Sequence, residues 1–372
     1  MRTHVFGTSR ILLYGVAAAA ILISVSAPAK AGYIQDNLVS DIPGLATFTD
    51  PDLVNPWGIA HSSTSPWWVS DNGTARATLY DGTGAKRSLV VAIPGTNAAP
   101  TGMVSNSTSS FTVSGTAARF IFADENGNIE AWTGGTSAAI VATTPGASYK
   151  GLAIGSNASG NFLFAANFAS GKVDVFNGSF GAASLPGSFT DPNLPAGYVP
   201  FGIQNINGNI YVSYALKEAG ETDETAGPGL GIVSVFDTNG NLIHRVATGG
   251  TLNAPWGMTL APSDFGKFSN DLLVGNFGDG TINAFDPLTG AFKGQLKSFG
   301  NVISIDGLWG IGFGNGASAG PTNTLFFAAG INDEDDGLFG RITVPEPGSL
   351  SVLGVGLLAF IGLRRRKERR AN

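Results

Sequence analysis

The chain has 372 residues, of which 13% are charged, 43% are hydrophobic and none is cysteine. The missing thiols exclude disulfides, thiol nucleophiles and Cys-ligated zinc. Between Gly32 and Pro345 there are 12 Lys plus Arg against 25 Asp plus Glu, a balance of −13 that offers nucleic acid no positive face from which to release counterions.

At the start, Arg2 and Arg10 flank a basic region, Ile11 to Val25 is apolar, and Ala29-Lys30-Ala31 is a small-x-small cleavage site. This order predicts a secretory signal peptide over residues 1–31, so the mature protein leaves the cytoplasm. Next comes Tyr33 to Val39, which alternates in the manner of a strand.

From there an X-X-Gly-apolar element recurs six times, at Gly58, Gly102, Gly151, Gly202, Gly257 and Gly310, with spacings of 44, 49, 51, 55 and 53 residues. A period near fifty marks propellers and arrays. After each glycine the chain reads as short apolar runs separated by Gly, Asn and Asp turns, for example WGIAHS, PWWVSDN, ATLYDGTG and SLVVAIP in the first unit. Those turn residues tolerate the positive φ that antiparallel hairpins need. Four strands per unit and six units predict an all-β, six-bladed propeller over residues 32–343. The sixth unit supplies only three runs, so the ribbon Tyr33–Val39 is expected to add its fourth strand and remove the open edge.

In a blade, the loop leading into the innermost strand and the turn between the second and third strands emerge on one side. The shared rim is therefore expected to gather Asn55, Trp57, Lys150, Phe201, Asn253, Trp256, Asp306 and Trp309 from entry loops and Asp71, Asn72, Asp124, Glu125, Asn126, Asn167, Asn276, Asp279, Asn332 and Asp333 from turns, of which Trp57, Asp71, Asn72, Asp124, Asn167, Trp256, Asn276, Trp309 and Asn332 are the candidate ligand-binding residues. Asn, Asp and Gly also dominate tight turns for backbone reasons, and Trp57, Trp256 and Trp309 adjoin the repeat glycine, where packing between blades is the competing duty.

Two segments break the repeat. The fourth unit carries an insertion, Leu216 to Gly231, with Glu218, Glu221, Asp223 and Glu224 ahead of Gly-Pro-Gly, and the sixth carries Asn332-Asp333-Glu334-Asp335-Asp336-Gly337. Long loops on a rigid scaffold are where binding resides. Asp223, Glu224, Asp333 and Asp335 are the candidate metal ligands, and with oxygen donors alone Ca²⁺ is the ion they suit. A solvated acidic loop is the competing reading. Only His61 and His244 remain after signal removal, neither at catalytic spacing, and there is no G-x-S-x-G, which argues against a Ser-His-Asp hydrolase.

The chain ends with Val344-Pro345-Glu346-Pro347, an uncharged run Gly348–Leu363, and Arg364-Arg365-Arg366-Lys367-Glu368-Arg369-Arg370. Sixteen helical residues reach about 24 Å, enough for a transmembrane helix with snorkelling arginines and a cytoplasmic basic tail. Motif, span and basic cluster in this order resemble the PEP-CTERM sorting signal of Gram-negative bacteria. That resemblance implies an exosortase as partner, a precursor held in the inner membrane, cleavage near Pro345 and release to the cell surface or matrix. YIQDNLVSDIPGLA, NPWGIA, YALKEAGETDETAGPGLG and AAGINDEDDGLFG resemble an uncharacterised propeller family often found with such tails, over about Tyr33 to Ile342; the resemblance implies the fold and no catalytic residue.

These observations lead to an exported, non-enzymatic scaffold that binds a polysaccharide, peptide or surface protein on its loop face. The alternative is a Ca²⁺-dependent hydrolase or lactonase in the propeller channel, with Asp71, Glu125 or Asp279 as acid/base. A purely structural surface-layer component is a third possibility.

Overall fold

The computed structural model describes residues 32–345. The signal peptide, Glu346 and Pro347 of the sorting motif, and the C-terminal apolar span and basic tail all lie outside the described residues. Among the described residues no helix is long and apolar enough to cross a membrane.

Six antiparallel sheets follow one another along the chain. Their innermost strands are Pro56–Ala60, Pro100–Ser105, Tyr149–Asn157, Tyr198–Ile206, Pro255–Leu260 and Leu308–Phe313, and each carries one of the repeat glycines. Each lies at one end of its sheet and pairs on one side only. The architecture is the expected six-bladed propeller.

The glycines have a shared cause. A Cβ placed on any of the six would come within 3.0 Å or less of a backbone atom on the next blade's innermost strand, from Gly58 against Thr101 through Gly202 against Trp256 to Gly310 against Trp57. The strand register also slips beside each of them, as between Pro56 and Ile59 or Pro200 and Ile203. Six backbones thus meet edge to edge around an axis, and only a residue without a side chain permits that approach.

Outside this ring one apolar cluster fills each gap between neighbouring blades. Trp68, Phe120 and Trp132 pack between the first and second blades, and Phe164, Phe189 and Phe236 between the third and fourth. Each blade thus buries both faces against its neighbours, and burial takes the place of cross-links in a chain without cysteine.

The ring closes as the alternating N-terminal ribbon predicts. Ile34–Ser40 runs antiparallel to Asp336–Thr343, with Ile34 opposite Thr343 and Ser40 opposite Leu338. Leu38 and Val39 are buried with Trp67, Tyr80, Phe326 and Phe339 in the gap between the sixth and first blades. Tyr33 anchors the ribbon's start, its hydroxyl donating to Phe265 O at 3.0 Å and accepting from Phe268 N at 3.3 Å. A short parallel strand, Phe48–Thr49, adds a fifth member to this blade; two residues carry too little periodicity for the sequence to announce it.

Candidate functional site

The residue before each repeat glycine is Trp57, Thr101, Lys150, Phe201, Trp256 or Trp309. Being one step along the strand from the point where six backbones converge, these side chains crowd the upper end of the axis. Trp57 and Trp309 stack with ring centroids 3.5 Å apart, and Trp256 sets its edge against both, at 6.1 and 5.7 Å. With Phe168, Phe201 and Phe277 they form a buried aromatic plug. Trp57, Trp256 and Trp309 are 2%, 8% and 0% exposed, and their faces pack against one another, in line with the packing duty set beside the ligand-binding one.

Lys150 is the one charged member of that ring. Its side chain is only 3% exposed, and its ammonium lies 5.1 Å above the Trp57 ring. Glu125, from the turn of the second blade, accepts a short hydrogen bond from it, and Asp223, from the inserted loop of the fourth, accepts another at 3.1 Å. Burial works against the lysine's charge, but the fields of Glu125, Glu224 and Asp223 outweigh it and hold its pKa above the ordinary lysine range. Trp256 Nε1 donates to Lys150 O at 2.9 Å, which ties this segment to the plug.

Two more carboxylates complete the cluster. Burial lifts Glu224 from 4.5 to about 7, although Lys150 pulls the other way. Burial also raises Glu334, whose Oε2 accepts from Asn55 Nδ2 at 2.7 Å while Asn55 Oδ1 accepts from Trp57 Nε1 at 3.0 Å. Glu334 reaches the axis because Asn332, Asp333 and Glu334 all adopt left-handed backbone, with φ of 57°, 53° and 68°. Such a conformation is costly for residues with a Cβ, about 1–2 kcal/mol each, and clusters where function demands it.

The inserted loop is tied down at both ends. Lys217 Nζ donates to Phe168 O and Ala169 O at 3.4 and 3.3 Å, Gly227 N donates to Asn253 Oδ1 at 2.6 Å, and Ala254 N donates to Leu230 O at 2.8 Å. The loop is thereby held against the third and fifth blades, with Asp223 and Glu224 brought to Lys150.

The proposed metal set divides in two. Asp223, although its side chain is 73% exposed, and Glu224 join the cluster, whereas Asp333 and Asp335 are exposed with no contact to Lys150, Glu334 being the acid of their turn that meets Asn55. Among the described residues no three His, Asp or Glu side chains are grouped to hold a metal ion.

Most of the remaining candidates serve their own turns. Asp124 accepts from Asn126 N and Asn128 N at 3.0 and 2.7 Å, Asn167 donates to Asp174 at 2.8 Å, Asn276 donates to Thr251 O at 2.8 Å, and Asn332 Nδ2 donates to Asp336 at 2.8 Å. Asp279 accepts from Thr281 and Asn276. Asp71 is fully buried in its blade, and burial raises its pKa well above the carboxylate norm. Asn72 alone of this group touches the cluster, donating to Glu125 Oε2 at 3.2 Å. Glu334 is the principal member that the sequence does not place on the rim, whereas Lys150 and Glu125 are both expected there. The signal for Lys150 was its place in the repeat, a cation where four other blades carry an aromatic.

Residues 343–367 match the PEP-CTERM protein-sorting motif. The motif implies recognition by an exosortase at the C-terminus, with export and processing to the cell surface. Among solved structures, the chain is similar to a streptogramin B lyase (TM-score 0.53, 13% identity, covering 86% of this chain and 100% of that one). It is also similar to virginiamycin B lyase from Staphylococcus aureus with quinupristin (0.52, 16%, 84% and 99%) and to a glucose dehydrogenase (0.51, 12%, 84% and 100%). At such identities the likeness is one of fold. Two proteins of Acanthamoeba polyphaga mimivirus are nearer in sequence: uncharacterized protein R648, 33% identical over 82% of this chain and 78% of its own length, and uncharacterized protein L690, 32% identical over 82% and 84%. At that identity over that much of both chains, the protein belongs to one family with these two mimiviral proteins.

Proposed function

We propose that this protein is a non-enzymatic scaffold of the cell surface or extracellular matrix, and that its loop face holds a cationic partner at the Lys150 cluster. The observation that carries this reading is a buried ammonium paired with two carboxylates, Glu125 and Asp223, with Glu224 and Glu334, from the two irregular loops, near enough to couple to it electrostatically. Glu125, Asp223, Glu224 and Glu334 outnumber their countercharge, and gathering them costs repulsion that a positively charged ligand would relieve. The two loops that break the repeat supply three of the four acids, Asp223, Glu224 and Glu334. A polymer bearing amino groups, or a basic segment of a surface protein, has the matching chemistry, and the sorting motif supports a partner encountered outside the cell.

The test is retention of the purified protein by native exopolysaccharide and envelope fractions. Retention should fall at least tenfold when Asp223→Asn and Glu334→Gln are combined, and should weaken with salt, since the pairing is partly exposed. No retention by any fraction would sink the reading.

A second reading is favoured by Glu224. A carboxyl titrating near 7 is suited to general acid/base chemistry, which is what a hydrolase or lactonase in the channel mouth would require. Of the acids considered for that role, only Glu125 stands in the cluster. Turnover of a lactone or phosphoester that is abolished by a chelator and by Glu224→Gln would establish this reading over the first.

A further inference from the structure

The lower half of the channel is a separate cavity of about 350 Å³. Ile59, Met103, Ile154, Gln204, Thr259 and Ile311 line it, one from the innermost strand of each blade. All six follow their repeat glycine or stand beyond that level, whereas the plug residues precede it, so the cavity opens on the face opposite Lys150. Above it the space narrows to about 30 Å³ at the glycines. The result is a blind cup.

Its chemistry is unlike that of the upper face. Among the described residues the lining contains no Asp, Glu, Lys or Arg. His61 is the one ionisable side chain there, and both ring nitrogens already lie against backbone carbonyls, Ser62 O at 2.9 Å and Phe313 O at 2.8 Å. Each innermost strand pairs on one side only, so its free edge turns backbone N–H and C=O groups that lie outside the ladder toward the axis; some of these meet side chains, as Ile154 O accepts from Asn205 Nδ2 at 2.7 Å. A charged ligand would lose its hydration with no countercharge to meet it. A purely apolar ligand would strip water from those backbone groups and leave them unpaired. A neutral molecule with many hydroxyls satisfies both conditions, its O–H groups meeting the strand edges and its C–H faces meeting Ile59, Met103 and Ile311. The volume falls in the range of small-molecule sites, ~300–1,000 Å³.

We propose that this cup is a second binding site, for a neutral sugar the size of one or two rings, supplied either free or as the end of a polymer chain. It is independent of the cation-binding reading and uses none of the same residues.

The experiment is saturation-transfer NMR and titration calorimetry on the full chain in a sugar-free zwitterionic detergent, with glucose and maltose as neutral probes and glucuronate and glucosamine as charged ones. Maltose should bind, the charged sugars should bind at least tenfold more weakly, and Thr259→Trp should weaken maltose at least tenfold without altering the thermal melt. If Thr259→Trp does not fold, Ser105→Trp fills the cup from another blade. Dextran that displaces maltose identifies a polymer end as the source, and dextran that does not identifies a free sugar. The proposal is overturned if neither neutral probe binds, if glucuronate equals maltose, or if filling the cup leaves maltose affinity unchanged.

Discussion

Lys150 shows how one substitution in a repeated position changes the character of a site. In its blade an ammonium occupies the place that an indole or phenyl ring takes in four others, and the acids around it are arranged to its charge. Replacing it by methionine would keep the bulk over Trp57 and leave Glu125, Asp223, Glu224 and Glu334 facing one another. The Glu125 and Asp223 side chains are 30% and 73% exposed and can rehydrate once the ammonium is gone, so the expected loss is ~1 kcal/mol. We expect millimolar Ca²⁺ to recover part of the loss in Lys150→Met, seen as a rise in melting temperature, and to leave the wild type almost unmoved; equal responses would show that the lysine is not the cluster's internal cation. Glu224 makes a second prediction. Its folded-state value of about 7 lies above the ordinary 4.5, so between these values the folded chain binds more protons than the unfolded one and stability falls as pH rises through that window. Glu334, Asp71 and Glu130, also raised, act with the same sign. Melting temperature measured from pH 4.5 to 7 should decline, and Glu224→Gln should flatten the decline without abolishing it.

Among elements, the innermost strands were the most legible part of the sequence, because a backbone approach that tolerates no Cβ leaves a glycine at the same place in every blade. At Gly202 the obstacles to a side chain are the backbone of Trp256 and the Ser213 hydroxyl, and the backbone cannot step aside. Gly202→Ala is therefore expected to lower stability by ~1–3 kcal/mol, the usual range for overpacking, read by denaturant unfolding; an unchanged midpoint would mean that the blades are not in contact there. The turns were legible as turns, and Asp124, Asn167 and Asn276 are spent on them. The insertion at 216–231 was legible as an exception to the repeat. What could not be read was direction: which acid of Asp333-Glu334-Asp335 faces the axis depends on three successive left-handed residues, and φ at Asp or Glu leaves no mark in residue type. Residue type alone therefore does not distinguish Glu334 from Asp333 and Asp335.

For the whole molecule, the six recurring glycines announce the blade count and the alternation of Tyr33–Val39 announces the closure, both from periodicity. The burial of Leu38 and Val39 makes that closure energetic as well as topological. Removing residues 32–40 would forfeit ~3–6 kcal/mol from these two side chains alone and expose the free edge of Asp336–Thr343. Against a total stability of ~5–15 kcal/mol, the shortened protein should lose its cooperative thermal transition or self-associate through that edge. A sharp, monomeric melt would contradict this. The pairing of Ile34 with Thr343 also sets an order of events during synthesis. Ile34–Ser40 emerges first and must wait, unpartnered, for Asp336–Thr343, so the circle can be completed only after residue 343 has been made. The matched sorting segment begins at residue 343, where that late partner ends. Severing the tail within Val344–Pro347 would leave the clasp whole, while a cut only a few positions earlier would undo it.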